Sequence, residues 1–433
     1  VALGCALVWA GPAVVEAVFG PLSWATRPWD GVPGGAARDA LGPRLTWSGT
    51  ALTPVVLAVV AAVAAVAARA AGAVDRRAAP LVALPLACAA AVTSPLAAGL
   101  PYPVALAVPV VLAVGLVSVR TTATGAAGLA LAPLALGWAL AERTATFAVL
   151  GALTLAFAVA YRRADRDAHR AVAASAAVVC VAGLARAVPA AFDVPPAWAA
   201  FAVLAVALPA AASRALAVEC TGHVLAAWGL VLALTGENAA ALSLALAACG
   251  TAAVGIALTR PDRGIAGGVA AAVLLTLAGW NGLAARGVTV PEPYTLHLAA
   301  AALVMGAVLR RRDDGPSSWQ GYGTGLALLF LPSLLMVWQD PGGPRPLLLG
   351  AGALTVTVLG ARHRLQAPLT LGSTTLALVA LHELAPHVAA MVGVLPRWLL
   401  PACAGALLLS LGATYDHRLT EARRLHAAWQ RLT

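Results

Sequence analysis

Arg310-Arg311-Arg312-Asp313-Asp314-Gly315-Pro316 is the most densely charged stretch between apolar runs, and long apolar segments flank it on both sides. A charged knot of this kind is the pattern of a short loop joining two membrane helices. Similar arginine marks stand at Arg76, Arg120, Arg163, Arg214, Arg260, Arg310, Arg362 and Arg418, at intervals of 43 to 56 residues. Two helices of about 20 residues and their loops fill such an interval. The expected fold is therefore all-α, a polytopic transmembrane bundle of tandem helical hairpins hung between the arginine marks.

Composition agrees. Of 433 residues, 61% are hydrophobic and only 11% are charged, with a mean hydropathy of +0.87. An ordinary soluble domain is about a quarter charged. Apolar runs of about 17 to 24 residues match the length that crosses a hydrocarbon core of about 30 Å at about 1.5 Å per residue. A span must satisfy its own backbone hydrogen bonds, so these runs are helices. The strands of a membrane barrel would alternate in polarity over about 10 residues, and no such alternation is present. The net charge of +10 and pI near 10.2 do not point to nucleic acid, because no basic stripe with interleaved aromatics accompanies them.

Cys5, Cys88, Cys180, Cys220, Cys249 and Cys403 are scattered singly, with no CxxC pair and no His at ligand spacing. They read as small apolar residues, so neither a disulfide framework nor a metal site is expected, and no cofactor is implied. The sequence opens inside an apolar run at Val1 without an initiator Met, as expected of a piece of a longer protein.

Sixteen spans are expected, at residues 1–19, 50–71, 81–98, 103–119, 122–140, 144–161, 169–187, 196–213, 218–236, 239–258, 264–283, 293–309, 318–338, 346–360, 367–390 and 396–413. Residues 1–413 then form the membrane domain, with degenerate hairpin repeats of 43 to 56 residues. Several second helices open on proline, at Pro101 and Pro103, Pro195 and Pro196, Pro291 and Pro293, Pro344 and Pro346, and Pro396. Proline is tolerated there because a first-turn amide has no intrahelical partner.

Orientation follows from arginine, since the chain has no lysine. Loops after even-numbered spans and the tail hold 20 arginines, against 8 on the other side. That bias places the arginine-rich side, and both ends of the chain, in the cytoplasm of a multi-pass plasma-membrane protein. Trp24, Trp29, Trp47, Trp138, Trp198, Trp280, Trp338 and Trp398 fall near the opposite span ends, where an indole can sit at the headgroup level. Residues 414–433 read as a cytoplasmic amphipathic helical tail, with Leu419, Ala422, Leu425, Trp429 and Leu432 on one face and arginines elsewhere. Such a tail suits contact with anionic inner-leaflet lipid.

An ionisable residue inside a span costs about 2.5 to 3.5 kcal/mol unless it snorkels or faces a polar cavity. Glu219 and His223 lie four residues apart on one helix face with Arg214 a turn below, which reads as a proton relay or ion site, or as an interfacial carboxylate that reaches headgroups or pairs with Arg214. His382, Glu383 and His387 form a second group. It is not the zinc protease motif, which needs its second His where Pro386 stands. Glu142, Asp193, Glu237, Glu292, Asp340 and Glu383 lie near outer turns, and hairpins packed round one axis would bring them into an acidic ring. Gly321-Tyr322-Gly323-Thr324-Gly325 lacks the Thr-Val of a potassium filter and opens a helix. Close packing through Gly321 and Gly325, and through Gly264 and Gly268, is expected instead.

The loop between the first two spans carries Asp30 and Asp39. In layout the chain resembles membrane-embedded lipid-linked sugar transferases, which have a similar number of spans and an acidic catalytic residue in the first outer loop. The resemblance implies that Asp30 or Asp39 could act as a base or help to hold a metal.

Toward the C-terminus, Gly360-Ala361-Arg362, Gln366-Ala367-Pro368, Leu384-Ala385-Pro386, Pro396-Arg397-Trp398 and Gly412-Ala413-Thr414-Tyr415, followed by Arg418-Leu419 and Arg423-Arg424, resemble the end of large polytopic integral membrane proteins of high-GC actinobacteria. That resemblance implies a compartment and no catalytic residues. The sequence points first to a permease or translocase of a small or lipid-linked molecule. A structural or interaction protein of the membrane comes second, and an embedded transferase third.

Overall fold

The computed structural model describes residues 2–31, 34–41, 47–70, 73–119, 122–310, 317–339 and 344–394, with Ala402, Gly405, Ala406, Leu408 and Leu409. Among them run fifteen α-helices: α1 (Ala2–Phe19), α2 (Thr53–Ala70), α3 (Ala73–Ala97), α4 (Tyr102–Ser118), α5 (Thr122–Ala139), α6 (Arg143–Arg163), α7 (Asp167–Ala191), α8 (Pro196–Ala211), α9 (Leu216–Thr235), α10 (Ala239–Thr259), α11 (Gly264–Ala285), α12 (Glu292–Arg310), α13 (Thr324–Gln339), α14 (Arg345–Arg362) and α15 (Gln366–Val394). They coincide in position with the first fifteen expected spans. Residues 396–413 are described at five positions only, and the tail 414–433 and residues 311–316 lie outside the described residues. The chain divides into two compact units, Val1–Ala278 and Gly279–Thr433, with the boundary inside α11.

Among the described residues, seven helices are long and apolar enough to cross a membrane, by length and composition. They are α6, α7, α9, α10, α1 with its following turn, α11 with its preceding turn, and α13 with the π-helical turn Trp319–Gly323 that opens it. Others are shorter than expected: α8 has 16 residues, about 24 Å of rise against a hydrocarbon core of about 30 Å. The surface suits a membrane-embedded protein. Large apolar side chains point outward, with Leu258 80% and Ile265 88% exposed, whereas alanine is the commonest buried residue. In lipid there is no hydrophobic force between helices, so small residues that let backbones approach hold them together.

The packing pairs differ from the expected hairpins. The most extensive helix contacts are α2 with α3, α4 with α5, α6 with α7 and α8 with α9 in the first unit, and α12 with α13 and α14 with α15 in the second. Five of these pairs are joined through an arginine-bearing segment instead of lying between two of them, and at α2 and α3 the arginines Arg69, Arg76 and Arg77 lie within the helices. Glycine is the reason at several interfaces. In α9, Gly222, Gly229 and Gly236 face Ala211, Leu204 and Ala197 of α8, seven-residue steps running in opposite directions, as in a heptad seam. A Cβ on Gly229 would lie 2.8 Å from the Leu204 side chain, so a larger residue there would force Leu204 or the α8–α9 spacing to shift.

In the second unit Gly306 of α12 meets the Gly321 backbone and Gly325 meets Leu303, in keeping with the close packing expected at Gly321 and Gly325. At α11 the expectation shifts. Gly268 faces open space, while a Cβ on Gly267 would lie 3.1 Å from the Ala257 Cβ, because one residue turns the contact face by about 100°.

The turns at the other helix ends recur with a longer period. Gly99, Asp193 and Gly287, each with φ between 55° and 70°, close α3, α7 and α11. In each turn the next amide reaches back five residues, from Leu100 to Pro95, Val194 to Pro189 and Val288 to Leu283. This is the Schellman cap, which satisfies otherwise orphaned carbonyls and favours Gly at the left-handed position. The three turns stand 94 residues apart, a spacing of four helices.

Candidate functional site

Glu219 occupies the first turn of α9, where a carboxylate is favoured by the helix dipole. It is buried, only 6% exposed. Its partners come from the loop after α10. Arg260 Nη2 donates to Glu219 Oε2 at 3.2 Å, and Arg263 Nε lies 3.1 Å from Oε1 in an ion pair without the alignment of a hydrogen bond. Arg260 Nη1 also donates to the Ser213 carbonyl at 2.8 Å, and Asp262 lies 3.4 Å from Arg260. The carboxylate is thus held by Arg260 and Arg263, not by the expected Arg214. Two arginines cross-brace the loop after α8 and the loop after α10.

His223 takes no part in that cluster. Its Nδ1 bonds the Glu219 backbone carbonyl at 2.8 Å, one turn back in the same helix, and its ring is exposed. A relay from carboxylate to imidazole has no direct geometry here.

His382, Glu383 and His387 are not brought together either. The His382 ring lies 5.3 Å from the Trp338 ring, Glu383 and His387 are exposed, and His387 Nδ1 bonds the Glu383 backbone carbonyl at 3.1 Å. Among the described residues no group of three His, Cys, Asp or Glu could hold a metal. The outer acidic residues are divided among local roles. Glu292 pairs with Arg345 at 3.0 Å, the Thr144 hydroxyl donates to Glu142 at 2.5 Å, and Asp193 and Glu237 occupy left-handed turn positions. Asp340 lies outside the described residues.

The described residues of the loop between α1 and α2 fold onto the helix ends as a docked cap. Two 3-10 turns, Gly20–Thr26 and Ala37–Leu41, are tied down by hydrogen bonds from Trp24 Nε1 to the Ala40 carbonyl at 2.8 Å and from Ala37 N to the Leu100 carbonyl at 2.8 Å. Trp29 donates through its amide to the Leu140 carbonyl at 2.8 Å and through its indole to the Thr146 hydroxyl at 3.1 Å. Beneath the cap, Tyr102 donates to the Trp138 carbonyl at 2.8 Å and Trp138 Nε1 to the Ala17 carbonyl at 3.2 Å. Trp24 and Trp138 are therefore buried anchors and not part of a headgroup belt, whereas Trp198, Trp280 and Trp338 remain exposed. Asp30 and Asp39 are exposed on this cap, and neither lines the cavities described next.

A cavity of about 400 Å³ lies at the arginine-bearing ends of α4, α5, α6 and α7. Apolar side chains such as Val117, Leu129, Phe157 and Val172 form its walls, and Arg163, Asp165, Arg166 and His169 form its polar rim. A second cavity, of about 310 Å³, lies among α1, α3 and α5 and is apolar apart from Cys88 and Thr93. Sequence reasoning missed the first. Its signal was the motif Arg163-Ala164-Asp165-Arg166, which returns as Arg260-Pro261-Asp262-Arg263. Comparison with protein-family models, curated proteins and solved structures found no significant match.

Proposed function

We propose that the chain belongs to a plasma-membrane protein that crosses the bilayer about sixteen times as tandem hairpins, with its arginine-bearing loops and both ends of the chain in the cytoplasm. We further propose that it serves as a structural or interaction protein of the membrane. One observation carries the choice over proton-coupled transport: Glu219, the buried carboxylate of the helical layer, is neutralised by Arg260 and Arg263, and its helix neighbour His223 bonds backbone instead. A carboxylate held between two guanidinium groups has the geometry of a structural ion pair.

Glu219→Gln separates the readings. As a clamp, its loss should destabilise the protein by about 2 kcal/mol, less than the ~3–5 of a fully desolvated pair because Arg260 keeps Asp262 and Ser213. Thermal unfolding of the purified protein should show the lower midpoint. Unchanged stability together with loss of a proton-driven flux in proteoliposomes would contradict the structural role.

A permease or translocase is the second reading, favoured by the 400 Å³ cavity, which has the size of a ligand site. The transferase reading has no support from Asp30 or Asp39, both exposed on the docked cap. Kinship with the actinobacterial membrane proteins rests on the C-terminal motifs. Contact of residues 414–433 with anionic lipid rests on their amphipathic pattern.

A further inference from the structure

Two parts of the first unit repeat one another closely. The starts of α3, α4 and α5 and those of α7, α8 and α9 lie 94 residues apart. The fit extends to contacts: a Cβ on Gly128 would meet the Val117 backbone nitrogen, and a Cβ on Gly222 would meet the Ala211 backbone nitrogen, again 94 residues on at both partners. Downstream, Arg163, Asp165 and Arg166 correspond to Arg260, Asp262 and Arg263, 97 residues on.

One difference between the two copies bears on the space between the loops. Glu219 stands 94 residues after Gly125. In the later copy, Glu219 fills the space between the loops and balances the charge of two arginines and one aspartate. In the earlier copy Gly125 supplies no carboxylate, and the space is the 400 Å³ cavity lined by Gly125, Arg163, Asp165 and Arg166. Arg170 is engaged by Asp167 at 3.3 Å and adds nothing to the balance. The rim therefore carries one positive charge more than its copy, and the walls below it are apolar.

We propose that an anionic phospholipid completes this site, with its phosphodiester taking the place of the Glu219 carboxylate against Arg163 and Arg166 and an acyl chain lying along Val117, Leu129 and Phe157. Arginine recognises phosphate through paired, charge-assisted hydrogen bonds, and the apolar walls distinguish a lipid from a bare ion. The site holds whether the protein is a scaffold or a translocase.

Gly125→Glu tests it directly. A Cβ at Gly125 meets nothing within 4 Å, so the substitution has room and would supply in cis the group that Glu219 supplies in the other copy. Native mass spectrometry and calorimetry on the full chain in mild detergent would follow binding of dioctanoyl phosphatidylglycerol, dioctanoyl phosphatidylcholine and inorganic phosphate. The expected result is one saturable phosphatidylglycerol, bound at least tenfold more tightly than phosphatidylcholine and not displaced by phosphate at the same concentration. Gly125→Glu should weaken that binding at least tenfold without lowering the unfolding temperature. Arg166→Gln should weaken it severalfold and decides the matter if Gly125→Glu does not fold. Equal affinity for the two lipids, binding unchanged by the folded variants, or displacement by equimolar phosphate would overturn the assignment.

Discussion

At Gly222 the backbone of α9 touches the backbone of α8 at Ala210 and Ala211, and no side chain fits between them. Gly222→Val should therefore force the pair apart and destabilise the protein by about 1 to 3 kcal/mol, the usual range for overpacking. Gly151→Ala in α6 is the control, because a Cβ there meets nothing and alanine is the better helix former. Its unfolding temperature should equal or exceed that of the parent, and equal losses in both variants would contradict the close-packing account. The seven-residue spacing of Gly222, Gly229 and Gly236 is visible in the sequence, but the register against Ala211, Leu204 and Ala197 is not. Glu219 was likewise legible as a residue needing a partner. Its partners were not, because helix periodicity cannot say that the loop after α10 adjoins the loop after α8.

Among the elements, the first outer loop departs furthest from its sequence reading. A tryptophan at a span end suits a headgroup belt as well as a buried anchor, since the indole has an apolar body and one donor. Trp24 and Trp138 use that donor inward, on Ala40 and Ala17. Trp24→Phe removes the donor and leaves a buried carbonyl without its partner, at a cost of about 1 to 3 kcal/mol. Segment 20–41 should then become more accessible to protease added from the outer side, while Trp198→Phe, at an exposed site, should leave it unchanged. Equal cleavage in the two variants would show that the cap is not held by Trp24. The helices themselves were largely legible, because uninterrupted apolar runs and proline or charged boundaries mark their ends. Their pairing was not, since loops on both sides are short and only the glycine contacts distinguish tight neighbours from loose ones.

For the whole molecule, outward-facing valine and leucine, alanine-rich contacts and, among the described residues, seven helices of spanning length suit a membrane-embedded protein. The helix starts and Schellman turns recur at 94 residues, a longer spacing than the intervals between the arginine marks. Every functional proposal depends on which side those marks face: the phosphatidylglycerol site must open on the leaflet to which the arginine-bearing loops belong, and the docked cap must face away from it. Reporter fusions that are active on only one side of the membrane, placed in segment 162–170 and in segment 310–316 of the full chain, test this most directly. Both should report the cytoplasm. A periplasmic signal from either loop would contradict the orientation and with it the account of the arginine-lined cavity.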